Sequence, residues 1–432
     1  MTSKTAMPKA FQRVWLASGA SSFGDGVYLT ALPLLAASLT RDPVLLSVVS
    51  AAALLPWLLF GLIGGALVDR WDRRRTMWIT DAARGALLLA AVAGVAAGWL
   101  GVPLLIALAF LLGIGQILFD TAATSYLPEI LNRDQTLLRR ANARLRGTMD
   151  VLDGFAGPPA GAALFTMGRT FPLITNAVSF LFSSLVIRSL PASPPKPRVA
   201  KNSLLKDARA GAAYLFRDPL LLGLSLRPAL GNFAFSAGAA VFVLFAQEEL
   251  HLGPVGYGIL LTSEALGGLL GSVLSGWLGK RLGTGGALIL TAALLTAAQA
   301  SIGLTDSAVV VGVGMALRAA GLGATIVLAS SVRQSIVPDE LMGRVSAASR
   351  LMALGTAPVG ALFGGWLATV GGLRAPYLIG SVFLALSTLL SLTMTSNRKV
   401  EAALEKARLS HETSAESKAG SESGDQAATL AT

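Results

Sequence analysis

The chain contains no cysteine and only two histidines, His251 and His411. Disulfides, thiolate zinc sites, iron–sulfur clusters and cysteine nucleophiles are thereby excluded. His411 falls in a polar tail, so histidine-based metal centres and catalytic triads are not expected. No Walker loop is present: the nearest string, Gly279-Lys280, is followed by Arg281 where Ser or Thr is required. Charge is scarce as well. Only 14% of the 432 residues are charged, where an average soluble domain has about 25%. Surface in water needs charge and surface in lipid does not, so most of this surface is expected to lie out of water.

Apolar residues make up 53% of the chain, glycine numbers 47, and the mean hydropathy is +0.64. Leu, Ala, Val and Gly without many aromatics suit closely packed membrane helices. A spanning helix needs about 20 apolar residues. Windows of that kind fall at 14–39, 44–68, 77–98, 102–125, 147–166, 171–190, 219–247, 255–279, 285–304, 307–331, 346–370 and 374–395. The expected fold class is an all-α membrane protein with twelve transmembrane helices in two six-helix pseudo-repeat halves. Residues 1–13 form an N-terminal tail, 14–190 the first bundle and 218–395 the second. Between them, 191–217 is a basic linker holding Pro191, Pro194, Pro195 and Pro197, with a surface helix near 203–216. Residues 396–432 are polar, and most of that tail is expected to be disordered.

The net charge of +11 points to topology, not to nucleic acid. Arg41, Arg169 and Arg374 lie in loops on one side, and Arg84, Arg227 and Arg318 lie within or near the ends of helices. The other basic residues gather on the opposite side or in the tails, as in Arg70, Arg73, Arg74 and Arg75. That asymmetry predicts both termini and the linker in the cytoplasm and an even number of spans. The N-terminus reads as a tail before the first span, not as a signal peptide.

An internal repeat runs at an offset of 210: Gly61 aligns with Gly271, Gly113 with Gly323, Pro128 with Pro338, and Arg70 with Lys280. Two six-helix halves joined by a linker are a common layout among secondary transporters.

The string Gly65-Ala-Leu-Val-Asp69-Arg70-Trp-Asp-Arg73-Arg74, between spans two and three, resembles the G-x-x-x-D-R-x-x-R-R signature of the major facilitator superfamily. The alternative is a positive-inside loop with a chance Gly and Asp. The equivalent loop of the second half, Gly276-Trp-Leu-Gly279-Lys280-Arg281, lacks the acid. The resemblance covers roughly 10–395. It implies two bundles that enclose a cavity and rock between inward- and outward-open states, with Gly65, Asp69, Arg70, Arg73 and Arg74 as a conformational latch. It also implies that Asp120 is a relay carboxylate answering the latch arginines. Gly157-Pro158-Pro159-Ala160-Gly161 in span five is similar to the family's exporter motif, with Asp153 where an earlier glycine is expected. An ordinary Pro-kinked packing helix is the other reading of Gly157, Pro158 and Gly161. Gly-x-x-x-Gly pairs at Gly61–Gly65, Gly157–Gly161, Gly267–Gly271 and Gly360–Gly364 fall in spans two, five, eight and eleven. In the resembled fold those helices join the two halves.

Ionisable residues at lipid depth are costly and usually functional. Asp25, Asp153, Glu264 and Arg318 are expected in a cavity or proton path, with buried structure as the alternative. Asp25 lies about 16 Å along span one, where Gly24 and Gly26 would leave space for water or a cation. Arg84 and Asp81 read as a helix-end pair with Arg84 reaching for the interface, and Asp150 as a partner of Arg146. The strings Ala31-Leu32-Pro33-Leu34-Leu35 and Leu54-Leu55-Pro56-Trp57-Leu58 resemble the branch holding macrolide effluxers and the enterobactin exporter.

The expected function is proton-coupled export of a lipophilic or amphipathic small molecule from a cell membrane. The transporter would act as a monomer, with no cofactor beyond the proton gradient and no nucleic-acid partner. An importer or lysolipid flippase on the same fold is the alternative within transport, and a membrane scaffold or receptor the alternative outside it. No convergent nucleophile, acid and base are displayed, so an enzyme is not expected.

Overall fold

The computed structural model describes residues 7–61, 68, 71–192 and 204–409. Of the latch motif, Gly65, Asp69 and Arg70 lie outside the described residues.

Aspartates set where several helices begin. After α1 (Lys9–Leu39), Asp42 caps α2 (Pro43–Phe60) by accepting from the Val44 amide at 2.8 Å. Asp72 caps α3 (Arg73–Ala96) through the Arg75 amide at 2.8 Å. Helix α4 (Val102–Ile130) is followed by Asp134, which caps α5 (Gln135–Met149). A π-helical turn, Asp150–Ala156, leads into α6 (Gly157–Met167), and α7 (Phe171–Arg188) closes the first half. The linker helix α8 (Leu204–Arg217) precedes Asp218, the cap of α9 (Pro219–Leu244). Then come α10 (Pro254–Leu304), α11 (Ala308–Ile336), α12 (Asp339–Gly371) and α13 (Ala375–Met394). Such caps satisfy amide groups that a helix start leaves without partners, and Pro at the first position loses nothing there.

Among the described residues, nine helices are long and apolar enough to cross a membrane. Three further features agree with twelve crossings. The 51-residue α10 is two spans, because Gly283 (φ 72°) breaks it. Residues 135–167 run through the π-helical turn as one. The 20-residue α13 is a further apolar helix. Several helices extend beyond the apolar windows, since hydropathy marks lipid depth and not where a helix ends. The polar tail begins with a helix over 397–409, where Val400 is buried among Leu220, Leu224 and Leu288, and the remainder of the tail lies outside the described residues.

The repeat is visible in packing. Gly113 of α4 lies against Ala53 and Pro56 of α2, and Gly323 of α11 lies against Gly268 and Ser272 of α10. Spans two, five, eight and eleven join the halves as expected, α2 against α12 and α6 against α10, but not through their described Gly-x-x-x-Gly pairs; Gly65 lies outside the described residues. Gly157 and Gly161 press on Gly26 and Val27 of α1, Gly267 and Gly271 on Ala316 and Ala320 of α11, and Gly360 and Gly364 on Phe233 and Ala237 of α9. All six serve contacts inside a half. The halves meet through other small residues: Gly258 against Pro158 and Ala162, Gly154 against Ala265, and Gly365 against Ser47 and Pro43. A Gly-x-x-x-Gly pattern marks close approach, but it does not say to which neighbour.

The two ends of the bundle differ. At the end away from the termini one apolar core runs through both halves, from Leu34 and Leu108 to Phe245 and Tyr377. Arg41 crosses there to Gln247, at 2.6 Å, and to Glu248. At the end that carries both termini, the described apolar clusters are separate: Phe11 with Leu127 in one half, Leu215 with Val345 in the other. Among the described residues the halves are therefore joined at the far end and splayed at the terminal end.

Candidate transport site

Between the splayed halves lies a cavity of about 990 Å³. Its wall is apolar at Trp57, Phe119 and Leu351 and charged at Asp120, Arg146 and Arg350. Arg350 of α12 also lies over the Trp57 ring, 5.8 Å from its centre, so the second half contributes a cation to a wall made mainly by the first.

A polar chain leads from that wall into the first half. Gln116, one turn before Asp120 on α4, donates to both Asp120 oxygens at 3.1 and 3.0 Å. Its own carbonyl accepts from Arg84 Nη2 of α3 at 2.5 Å, and the same nitrogen donates to Asp25 Oδ1 of α1 at 3.0 Å. The Phe180 ring lies 3.8 Å from the guanidinium carbon. Asp81 Oδ1 is 3.5 Å from Arg84 Nη1. Three carboxylates therefore share one guanidinium, two directly and Asp120 through Gln116.

Arg84 does not reach for the interface as expected. It is 4% exposed and turned inward. Asp25 on a neighbouring helix supplies a counter-ion that no pattern within α3 could announce. Gly24 and Gly26 also differ from expectation. A β-carbon on Gly24 would strike Ser179 at 2.0 Å, and one on Gly26 would strike the Asp153 carbonyl at 2.6 Å. The glycines admit helices α7 and the π-helical turn, not water. Asp25 keeps access another way, since its side chain remains 26% exposed.

Asp153 is exposed in the π-helical turn, and among the described residues no hydrogen bond ties it to Arg84. Asp150 pairs with Arg146 at 3.1 Å, as expected. Asp120 does not meet the latch arginines that are described. Arg73 is buried and pairs with Glu129 at 2.7 Å, and Arg74 donates to the Leu190 carbonyl at 2.8 Å. Gly157, Pro158 and Gly161 are buried where α6 meets α1 and α10.

The second half holds a comparable set on different helices. Arg318 of α11 pairs with Glu264 and donates to Gln299 Oε1 at 3.0 Å, with Phe235 4.9 Å away. Two residues expected to act separately are thus partners. One arginine faces one acid, so this set is matched in charge where the Arg84 set is not. Sequence reasoning missed Gln116 and Gln299. The available signal was a polar side chain at lipid depth, four residues from Asp120 in the first case.

An all-helical membrane bundle in two pseudo-repeat halves, splayed around a cavity with buried ion pairs beside it, defines a transporter of the major facilitator fold. The chain belongs to the transmembrane secretion effector family, MFS_3, whose model matches residues 5–427. It is similar to the multidrug efflux pump Tap of Mycolicibacterium fortuitum, 28% identical over 399 residues that cover 88% of this chain and 94% of that one. Macrolide efflux protein A of Streptococcus pyogenes is 24% identical over 280 residues, 62% of this chain and 67% of the relative. A crystal structure of a mutant nucleoside transporter NupG superposes with a TM-score of 0.77 at 12% identity, covering 89% of this chain and 100% of that one, and shares the fold.

Proposed function

We propose that this protein is a proton-coupled exporter of lipophilic or amphipathic small molecules. It works by alternating access as a monomer in the cell membrane, with the terminal end in the cytoplasm. The observation that carries the coupling is the imbalance at Arg84. Asp25, Asp81 and Asp120 face a single guanidinium. Full ionisation would leave unmatched negative charge out of water, and a bound proton removes one such charge. Asp25 is the acceptor, because it touches Arg84 and is still partly exposed.

The cavity wall supports the substrate class. Aromatic and aliphatic surface would take an apolar body, and Asp120 and Arg350 would take a polar end. The relatives, a multidrug efflux pump and a macrolide efflux protein, support the same class and the outward direction. The basic residues at the terminal end support its cytoplasmic placement. No cofactor is needed: the gradient shifts the balance of the two states by protonating one of them preferentially. Asp69 and Arg70 act as the conformational switch.

Energised inverted vesicles test this with a panel of fluorescent lipophilic cations and a radiolabelled macrolide. Accumulation should collapse with a protonophore. Asp25→Asn should abolish uphill accumulation and its pH dependence while permitting exchange of substrate across the membrane. Accumulation insensitive to the protonophore would remove the proton from the mechanism.

A further inference from the structure

We infer that Asp81 is a positioning residue for the coupling site: a buried second counter-ion that takes the Arg84 guanidinium when Asp25 is protonated. This rests on Asp25 being the proton acceptor.

The geometry around Arg84 is one-sided. Its Nη2 makes two hydrogen bonds, to Asp25 and Gln116, while Nε and Nη1 make none. Asp81 lies three residues earlier on the same helix and is wholly buried, with the Ser183 hydroxyl and the Arg84 guanidinium as its polar neighbours and no well-formed hydrogen bond to either. The two unsatisfied groups face each other at 3.5 Å, within ion-pair range but beyond a hydrogen bond. Buried donors and acceptors are ordinarily satisfied, and charged ones most of all. A donor and an acceptor left open side by side therefore describe a contact that is completed in another state.

The trigger is the charge on Asp25, 3.0 Å from Arg84. With Asp25 ionised, Arg84 is held toward α1. A proton on Asp25 removes the charge that holds it there, and Asp81 becomes the nearest ionised acid. Residues three apart lie on one helix face, so the guanidinium can turn from one acid to the other without moving the backbone. The surrounding elements bring no competing cation among the described residues. Helix α1 contributes Asp25 and Tyr28, the π-helical turn contributes Asp153 on the Asp25 side, α4 contributes Asp120 and the uncharged Gln116, and α7 contributes the uncharged Asn176, Ser183 and Phe180. The turn would also withdraw Arg84 from Gln116, which positions Asp120 at the cavity wall. A proton at Asp25 is thereby felt where substrate binds. The only covalent change is the O–H bond that one Asp25 carboxylate oxygen gains with the proton and loses with it again.

The test uses the full chain in lipid nanodiscs, with single cysteines replacing Thr136 and Gln334, both exposed at the terminal end of different halves. Spin labels on these report the separation of the halves across a pH series. In the wild-type background the separation should change about a single pH midpoint. Asp25→Asn should lose the change, which tests the acceptor alone. Asp81→Asn should keep the change but lower its midpoint by about one unit, a tenfold weaker hold on the proton, because Arg84 then remains on Asp25. Asp81→Glu keeps the charge on a longer arm, and its midpoint should stand at or above the wild-type value. A folded Asp81→Asn protein with the wild-type midpoint overturns the inference while leaving Asp25 in place. So does a lowered midpoint in Asp81→Glu, which decides the matter if the Asn variant does not fold. A response that survives Asp25→Asn sinks the acceptor and this inference with it.

Discussion

Gly157 of α6 meets Gly26 of α1 so closely that a β-carbon on Gly157 would fall 2.5 Å from the Gly26 Cα. The same β-carbon would lie 2.8 Å from the Leu152 carbonyl, so backbone atoms surround the position and no flexible side chain can yield. One face of the Gly-Pro-Pro-Ala-Gly segment is thus committed to α1, and the Pro158 carbonyl touches Gly258 on α10. The segment joins the inside of one half to the surface between halves.

Gly157→Val should therefore separate α1 from α6. The expected loss is about 1–3 kcal/mol, seen as a lower melting temperature in detergent. Gly147, with nothing within 4 Å of its β-carbon position, provides the control. Gly147→Ala should be neutral or slightly stabilising, as alanine is favoured over glycine in a helix. Equal melting temperatures for the two variants would contradict the close approach.

The Glu264–Arg318 pair should behave as structure. Both side chains are largely buried, at 18% and 6% exposure, and removing one partner of such a pair leaves the other charge uncompensated. Glu264→Gln is expected to cost about 3 kcal/mol, and pairing it with Arg318→Met should restore much of that. Melting temperatures of the single and double variants measure this. The pH midpoint of the conformational change should stay where it is, since the matched set has no spare acid. A moved midpoint would make Glu264 a second proton site.

The latch residues divide into two roles that mutation can separate. Arg73 is tied to Glu129 within the first half, so Arg73→Met should lower stability, by up to roughly 3 kcal/mol. Asp69→Asn should leave stability and substrate binding largely intact and cripple transport, as a change that biases states would. Thermal melting, photolabelling with a transported compound and vesicle transport on the same preparations compare them. Binding that falls as far as transport in Asp69→Asn would place Asp69 with the substrate.

Orientation can be read directly, because the chain has no native cysteine. Trp99, 62% exposed in the far-end loop after α3, and Ala200 in the linker are suitable positions. In intact cells an impermeant thiol reagent should label Trp99→Cys and spare Ala200→Cys. Labelling of the linker from outside would invert the topology.

Much of this architecture was determined by the sequence alone. Hydropathy sets which segments lie in lipid, since a charged or polar run cannot be hidden there at this length. The uneven distribution of Lys and Arg and the offset of 210 between halves show as patterns along one chain. So do the Asp42-Pro43 and Asp218-Pro219 helix starts, because a cap acts within three residues. What the tertiary structure alone decided is which distant groups meet. Arg84 looked like a residue reaching for the interface until α1 placed Asp25 3.0 Å away. The Gly-x-x-x-Gly pairs looked like contacts between halves until α1, α9 and α11 were found against them. Gln116 and Gln299 carried no charge to draw attention, yet each bonds a buried arginine of its half. A side chain's partner is set by how helices cross, and crossing depends on the summed packing of many small residues, which no local pattern of one helix contains.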